Sequence, residues 1–143
     1  MLFRSATSGE WLLDGVLSVI TKLKDSMVNS SQAFIPQELI LALESELNTT
    51  LSNYGEDMAK VLHVNAQYKI FLGGLSQKTA SGIHAFIDRR LQTTANLLQT
   101  KNIDNLFVGF WPAPKIWTSY EESQLLNFIR LFEWTNSGFF EIK

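Results

Sequence analysis

Histidines and carboxylates at helical spacing are the first places to look for chemistry in this chain. It has only two histidines, His63 and His84. His84 and Asp88 stand four apart, so on a helix their side chains can meet. Such a pair could act as a carboxylate-oriented general base or as a metal ligand. The plainer reading is a surface ion pair, and it is preferred because no nucleophile or second ligand at matching spacing accompanies it. His63 has Ala59, Lys60, Ala66 and Gln67 at the three- and four-residue positions, so it lacks even a carboxylate and reads as a boundary residue. Neither histidine has a Glu three residues before it, which excludes the carboxylate di-metal bundle. The absence of cysteine excludes thiol nucleophiles, thiolate metal sites and disulfides.

The remaining motifs are equally plain. No phosphate-binding glycine loop, dinucleotide fingerprint, nucleophile elbow or zinc-protease motif occurs. Gly73-Gly74 reads as a helix stop rather than a phosphate nest, which would want a basic partner and another glycine. Glu121-Glu122 reads as helix-start chemistry, because Ser119 and Glu122 match the capping-box spacing. Arg89-Arg90 is the one adjacent basic pair, with Lys78 eleven residues earlier. A small-anion or nucleic-acid patch there is disfavoured, since two arginines neutralise too few phosphates for useful affinity at physiological salt. The expectation is therefore no catalytic, metal or cofactor-binding residue, no cofactor and no enzyme.

One feature rises above background. Ten of the seventeen aromatic residues fall between Phe107 and Phe140. Phe110, Trp111, Trp117, Tyr120 and Trp134 are the candidate interaction residues, grouped around the rigid Pro112-Ala113-Pro114 turn. The plainer reading is that they supply core, because aromatics bring large buried area to a small domain. Interfacial membrane contact is a weaker reading, because only Lys115 is nearby to attract anionic lipid.

The elements that would position these residues read mainly as helices. Trp11, Leu12, Val16, Val19, Ile20 and Leu23 predict a helix over about 9–27, although Asp14-Gly15 could instead be a hairpin turn. Pro36 suits a first helical position, and Leu39, Ile40, Leu43, Leu47 and Leu51 predict the clearest helix, stopped at Asn53-Tyr54-Gly55. Met58, Val61, Leu62, Ala66, Ile70 and Phe71 predict a third, ended by Gly73-Gly74. Ala80, Ile83, Ile87, Leu91, Thr94 and Leu98 mark a fourth over about 76–99. A fifth opens at Ser119, with Leu125, Leu126, Phe128, Ile129 and Phe132 on its apolar side. The two prolines of Leu106–Trp117 forbid a regular helix there.

The expected architecture is thus one helical domain over 1–143, an irregular bundle of about five helices with an extended aromatic segment. The alternative is α+β, with a small sheet from 106–111 and 139–142. Leu43, Leu47, Val61, Leu62, Ile83, Ile87, Leu91, Leu98, Leu125 and Ile129 are the expected core.

Composition bounds the partners. Twelve basic and fourteen acidic residues give a net charge of −2, which lacks the electrostatic footprint of a nucleic-acid binder. Hydrophobic residues at 45% with charged residues at 18% exclude disorder. No run of about 18 uncharged apolar residues exists to span a membrane. Asp14 interrupts the apolar stretch after Met1-Leu2-Phe3-Arg4, and no cleavage site follows, so no signal peptide is expected. The glycosylation-type triplets at Asn29 and Asn48 then read as chance, and a reducing cytoplasmic setting is expected. The functional expectation is a non-enzymatic interaction or adaptor module that binds a protein partner or itself, as a dimer, through the aromatic quarter. The alternative is a small apolar ligand held between the helices and the 107–117 segment.

Overall fold

In a computed structural model, residues 13–24, 32–99, 101–118 and 122–142 are described. The chain runs β1 (Gly15–Lys24), β2 (Gln32–Glu46), α1 (Leu51–His63), β3 (Ala66–Leu75), α2 (Ala80–Leu98) and β4 (Leu106–Pro112). Two short helices follow, α3 (Pro114–Trp117) and α4 (Glu122–Leu126), and then β5 (Arg130–Thr135) and β6 (Gly138–Ile142). The six strands form one sheet in chain order. β2, β3 and β4 are parallel, joined through α1 and α2, while β1, β5 and β6 add antiparallel to the two sides.

This replaces the expected helical bundle with a mixed sheet carrying two long helices. The reversal is sharpest in β2, expected to be the clearest helix. Its run Leu39-Ile40-Leu41-Ala42-Leu43 is apolar on both faces, as an interior strand of a mixed sheet requires. A continuous apolar run satisfies helical spacing as readily as strand spacing. Pro36 is not a helix start. The register skips Gln37, pairing Ile20 with Pro36 and Val19 with Glu38, and such a bulge is where a strand tolerates proline. In β1 the β-branched Val16, Val19 and Ile20 favour a strand over the predicted helix. Asp14 is not a hairpin turn but precedes β1, its carboxylate accepting the Ser45 N–H at 2.8 Å.

The predicted third helix breaks in two. Asn53-Tyr54-Gly55, expected to be a stop, lies in the first turns of α1, whose N-cap Thr50 accepts the Asn53 N–H at 3.4 Å. After Val64 and Asn65 the chain becomes β3, so Ala66, Ile70 and Phe71 are strand residues. The fourth helix is present as α2, capped by Thr79 accepting the Gly82 N–H at 3.1 Å. The predicted fifth helix is reduced to α4, and its apolar residue Phe132 sits in β5. Ser119 of the capping-box pair lies outside the described residues.

Both long helices cover the same face of the sheet. Tyr54, Met58 and Val61 of α1 meet Ile83, Phe86 and Ile87 of α2 over Phe71, Leu75, Val108 and Phe110. Of the expected core, Val61, Leu62, Ile83, Ile87 and Leu98 are buried. Ile129 is 52% exposed and Leu43 and Leu47 are half-buried, because the helix faces assigned there fall on strand and turn segments; Leu91 of α2 is half-buried against the core, and Leu125 of α4 is half-buried too. Among the described residues no helix is long and apolar enough to cross a membrane.

Candidate functional site

Side chains alternate across a strand, so the two faces of this sheet can be read from register. Phe110 and Trp111 are neighbours in β4 and point opposite ways. Phe110 is 1% exposed on the helix-covered face, edge-on to Phe86 at 6.5 Å and to Phe132 at 6.1 Å between ring centroids. Trp111 is 37% exposed on the other face.

That other face is covered by neither α1 nor α2. Register brings Leu41 and Leu43 of β2, Tyr68, Ile70 and Leu72 of β3, and Phe107 and Trp111 of β4 onto it. Leu131 of β5 and Phe140 and Ile142 of β6 continue it to the sheet edge. Tyr68, Phe140 and Ile142 are exposed and the others named are half-buried, apart from the exposed Trp111. Gly109 leaves a flat spot over which Leu72 and Leu131 close; a Cβ there would stand 2.6 Å from Leu72 Cδ2. Glu133 is the one charged residue placed on this face by the described registers of β2 to β6.

The five candidate interaction residues are therefore not one ledge. Phe110 is core. Trp134 packs on the helix-covered side, its ring 5.0 Å from that of Phe139. Trp117 is exposed on α3 beyond the end of β4, its indole N–H donating to the Pro112 carbonyl at 2.8 Å. Tyr120 lies outside the described residues. Of the four that are described, Trp111 alone joins the open face. Tyr68, Phe107, Phe140 and Ile142 were missed as a group. Their signal was the alternation Tyr68-x-Ile70-x-Leu72, hidden inside a segment read with helical period.

The polar clusters lie elsewhere and serve the framework. Glu44, buried under α1, accepts the Lys60 ammonium at 2.9 Å and the Asp14 N–H at 3.0 Å. Lys60 also pairs with Asp57, one turn earlier on α1. Burial outweighs the Lys60 bond and raises the Glu44 carboxyl above its usual 4.5. Burial and the neighbouring Asp57 raise Glu46 likewise. Among the described residues no three His, Cys, Asp or Glu side chains gather to hold a metal.

The two histidines lie in separate settings. His63 Nδ1 sits 2.7 Å from the Ala59 carbonyl, so that nitrogen carries the proton in the tautomer this bond assigns. His84 Nδ1 lies 3.1 Å from Arg130 Nη1, and Arg130 forks onto both oxygens of Glu141 at 2.6 Å. His84 is thereby joined to an ion pair between β5 and β6, with Asp88 contributing charge near Arg130.

Compared with protein-family models, curated proteins and solved structures, the chain matches none.

Proposed function

We propose that this chain is a protein–protein interaction module that self-associates by packing the open sheet faces of two copies. The observation that carries the reading is the apolar face itself, with Tyr68, Trp111, Phe140 and Ile142 exposed on it. Isolated exposed apolar residues are ordinary on a protein surface; a contiguous patch marks an interaction site.

Three properties of the face favour a second copy as its occupant. It is nearly uncharged, so it selects no partner of opposite sign. A two-fold axis lets the patch meet itself, as isologous interfaces do. Its size is also adequate. The five strands β2 to β6, each about 4.8 Å wide with about 20 Å of strand length, give roughly 480 Å² in projection, and more in accessible area. A standard interface takes about 800 Å² from each partner. Two such faces would stack about 10 Å apart, with their side chains interdigitating as in a sandwich.

Trp111 belongs to this interface and Trp117 does not, which narrows the aromatic quarter to its sheet-borne half. The test is sedimentation equilibrium of wild type and Phe140→Asp. The expected result is a dimer with Kd of about 1–10 μM, corresponding to roughly −7 to −8 kcal/mol. Placing a charge at residue 140 should weaken it by about 100-fold or more with the fold intact, because an unpaired charge would be buried. A chain that stays monomeric at about 100 μM, well above that Kd, would refute the reading.

A further inference from the structure

Arg90 is a buried cation that the sheet account leaves unused. α2 holds it against α1, 9% exposed, with its guanidinium carbon 4.8 Å from the Phe86 ring centroid and 5.0 Å from that of Tyr54. Its Nη2 donates to the Thr49 carbonyl at 2.7 Å, but its buried Nε finds no hydrogen-bond partner among the described residues. No carboxylate among the described residues pairs with it. Buried charges in proteins are ordinarily paired, and a guanidinium sandwiched by two rings is a planar donor fixed in advance.

Arg90 lines a cavity of about 610 Å³, together with Arg89, Gln77, Gln92, Thr93 and Leu51. Thr49 stands at its edge as a meeting point. Its carbonyl takes Arg90, and its hydroxyl oxygen takes the Ser76 hydroxyl at 3.3 Å and the Lys115 ammonium at 3.4 Å. Thr49, Ser76 and Lys115 follow β2, β3 and β4 in turn, so Thr49 ties the edge of the cavity to the place where three parallel strands end. Open α/β sheets place ligands beyond the carboxyl ends of their parallel strands. Arg89, Arg90, Gln77 and Gln92 on this wall offer donors to an anion, beside the apolar Leu51 and Phe86.

We propose that this cavity binds the phosphoryl group of a small organic phosphate. Arg90 supplies the fixed donor, and Arg89 and Lys115 add the charge that favours a dianion over a carboxylate. The cavity is larger than a phosphate ion, leaving room for an organic body beside Leu51 and Thr93. Three cations are too few to hold a nucleic-acid backbone at physiological salt.

The test follows the side-chain Nε–H resonance of Arg90 in the full chain during titration with inorganic phosphate, phenyl phosphate or acetate at constant ionic strength. The expected result is a saturable shift with both phosphates, phenyl phosphate binding the tighter, and acetate at least about tenfold weaker, as expected where charge-assisted bonds dominate. Arg89→Gln should weaken phosphate binding by about fivefold or more at unchanged Tm, by loss of one nearby charge. Arg89→Gln and Lys115→Gln keep the test open even where Arg90→Lys fails to fold. Equal, non-saturating shifts with all three anions would overturn the proposal. Phosphate binding indifferent to both Arg89→Gln and Lys115→Gln would overturn it too.

Discussion

Phe110→Ala and Trp111→Ala remove adjacent rings from one strand and should do different things. The Phe110 ring is 1% exposed and edge-on to two other rings in the core. Its truncation should cost about 3–5 kcal/mol of folding stability, the usual range for a buried Phe. At about 3–4 °C per kcal/mol for a chain of this size, Tm should fall by about 10–15 °C or more. Trp111 keeps 37% of its surface exposed, which for a ring of about 250 Å² is roughly 90 Å². Covering that area contributes about 2 kcal/mol at 25 cal/mol/Å². A symmetric dimer holds two such rings, so Trp111→Ala should weaken association by at least about thirtyfold, the equivalent of one ring's contribution. Its own folding cost should stay near about 1–2 kcal/mol, since the ring is already partly in solvent. Urea unfolding at protein concentrations below Kd isolates folding from association, and sedimentation equilibrium then reads association alone. Equal stability losses in the two variants would refute the assignment of faces. So would a Phe110→Ala protein that unfolds normally and merely dimerises weakly.

Gly74→Ala should destabilise by about 1–3 kcal/mol or more in urea melts, because its Cβ would stand 2.6 Å from the Leu47 carbonyl oxygen and 2.9 Å from the Leu47 Cα, backbone atoms that cannot rotate away. Lys60→Met should cost about 3 kcal/mol, since it leaves the Glu44 carboxylate buried without its cation. Glu44 and Glu46 both titrate above the usual 4.5, so between that value and their folded values the native chain holds protons the unfolded chain has released. Their contribution to stability therefore falls as pH rises through that interval, and Glu46→Gln should flatten the slope in urea melts taken from acid towards neutral pH. Arg130→Gln should cost about 1 kcal/mol or less, because its pair with Glu141 is partly solvated, and thermal melts of the variant check this.

How much of this was legible in the sequence depended on whether an element's contacts are local. α2 was legible. Ile83, Ile87, Thr94 and Leu98 recur at helical spacing, and all four are buried on one side of a real helix. β2 was not, because Leu39 to Leu43 satisfies both periods and only its pairing with β1 and β3 decides between them. The pairing with β3 joins Leu39 to Ala66 across the whole of α1 and leaves no local mark. β3 was absorbed into the preceding helix because Val64 and Asn65 carry no glycine or proline to announce the break. The strands at 106–112 and 138–142 occupy the segments suspected of being extended, but in a six-stranded sheet that neither expectation contained.

The candidate site was legible only in part, for the same reason. Aromatic crowding drew notice to Phe110, Trp111 and Trp134, yet one position along a strand decides between core and surface. Arg90 shows the limit on the polar side. Its neighbour Arg89 made a visible basic pair, but the two rings and the Thr49 carbonyl around it come from residues 4 to 41 positions away.

Packing of two copies through the open sheet face leaves a direct signature in solution. An isotope-filtered nuclear Overhauser experiment on a mixture of labelled and unlabelled chains tests it most directly, at a concentration of about 1 mM, far above the expected Kd. Face-to-face packing should give intermolecular contacts between the rings of Tyr68, Phe107, Trp111 and Phe140 and the methyl groups of Leu41, Leu43 and Leu131. Intermolecular contacts confined to α2 or to Trp117, or none at all at that concentration, would contradict it.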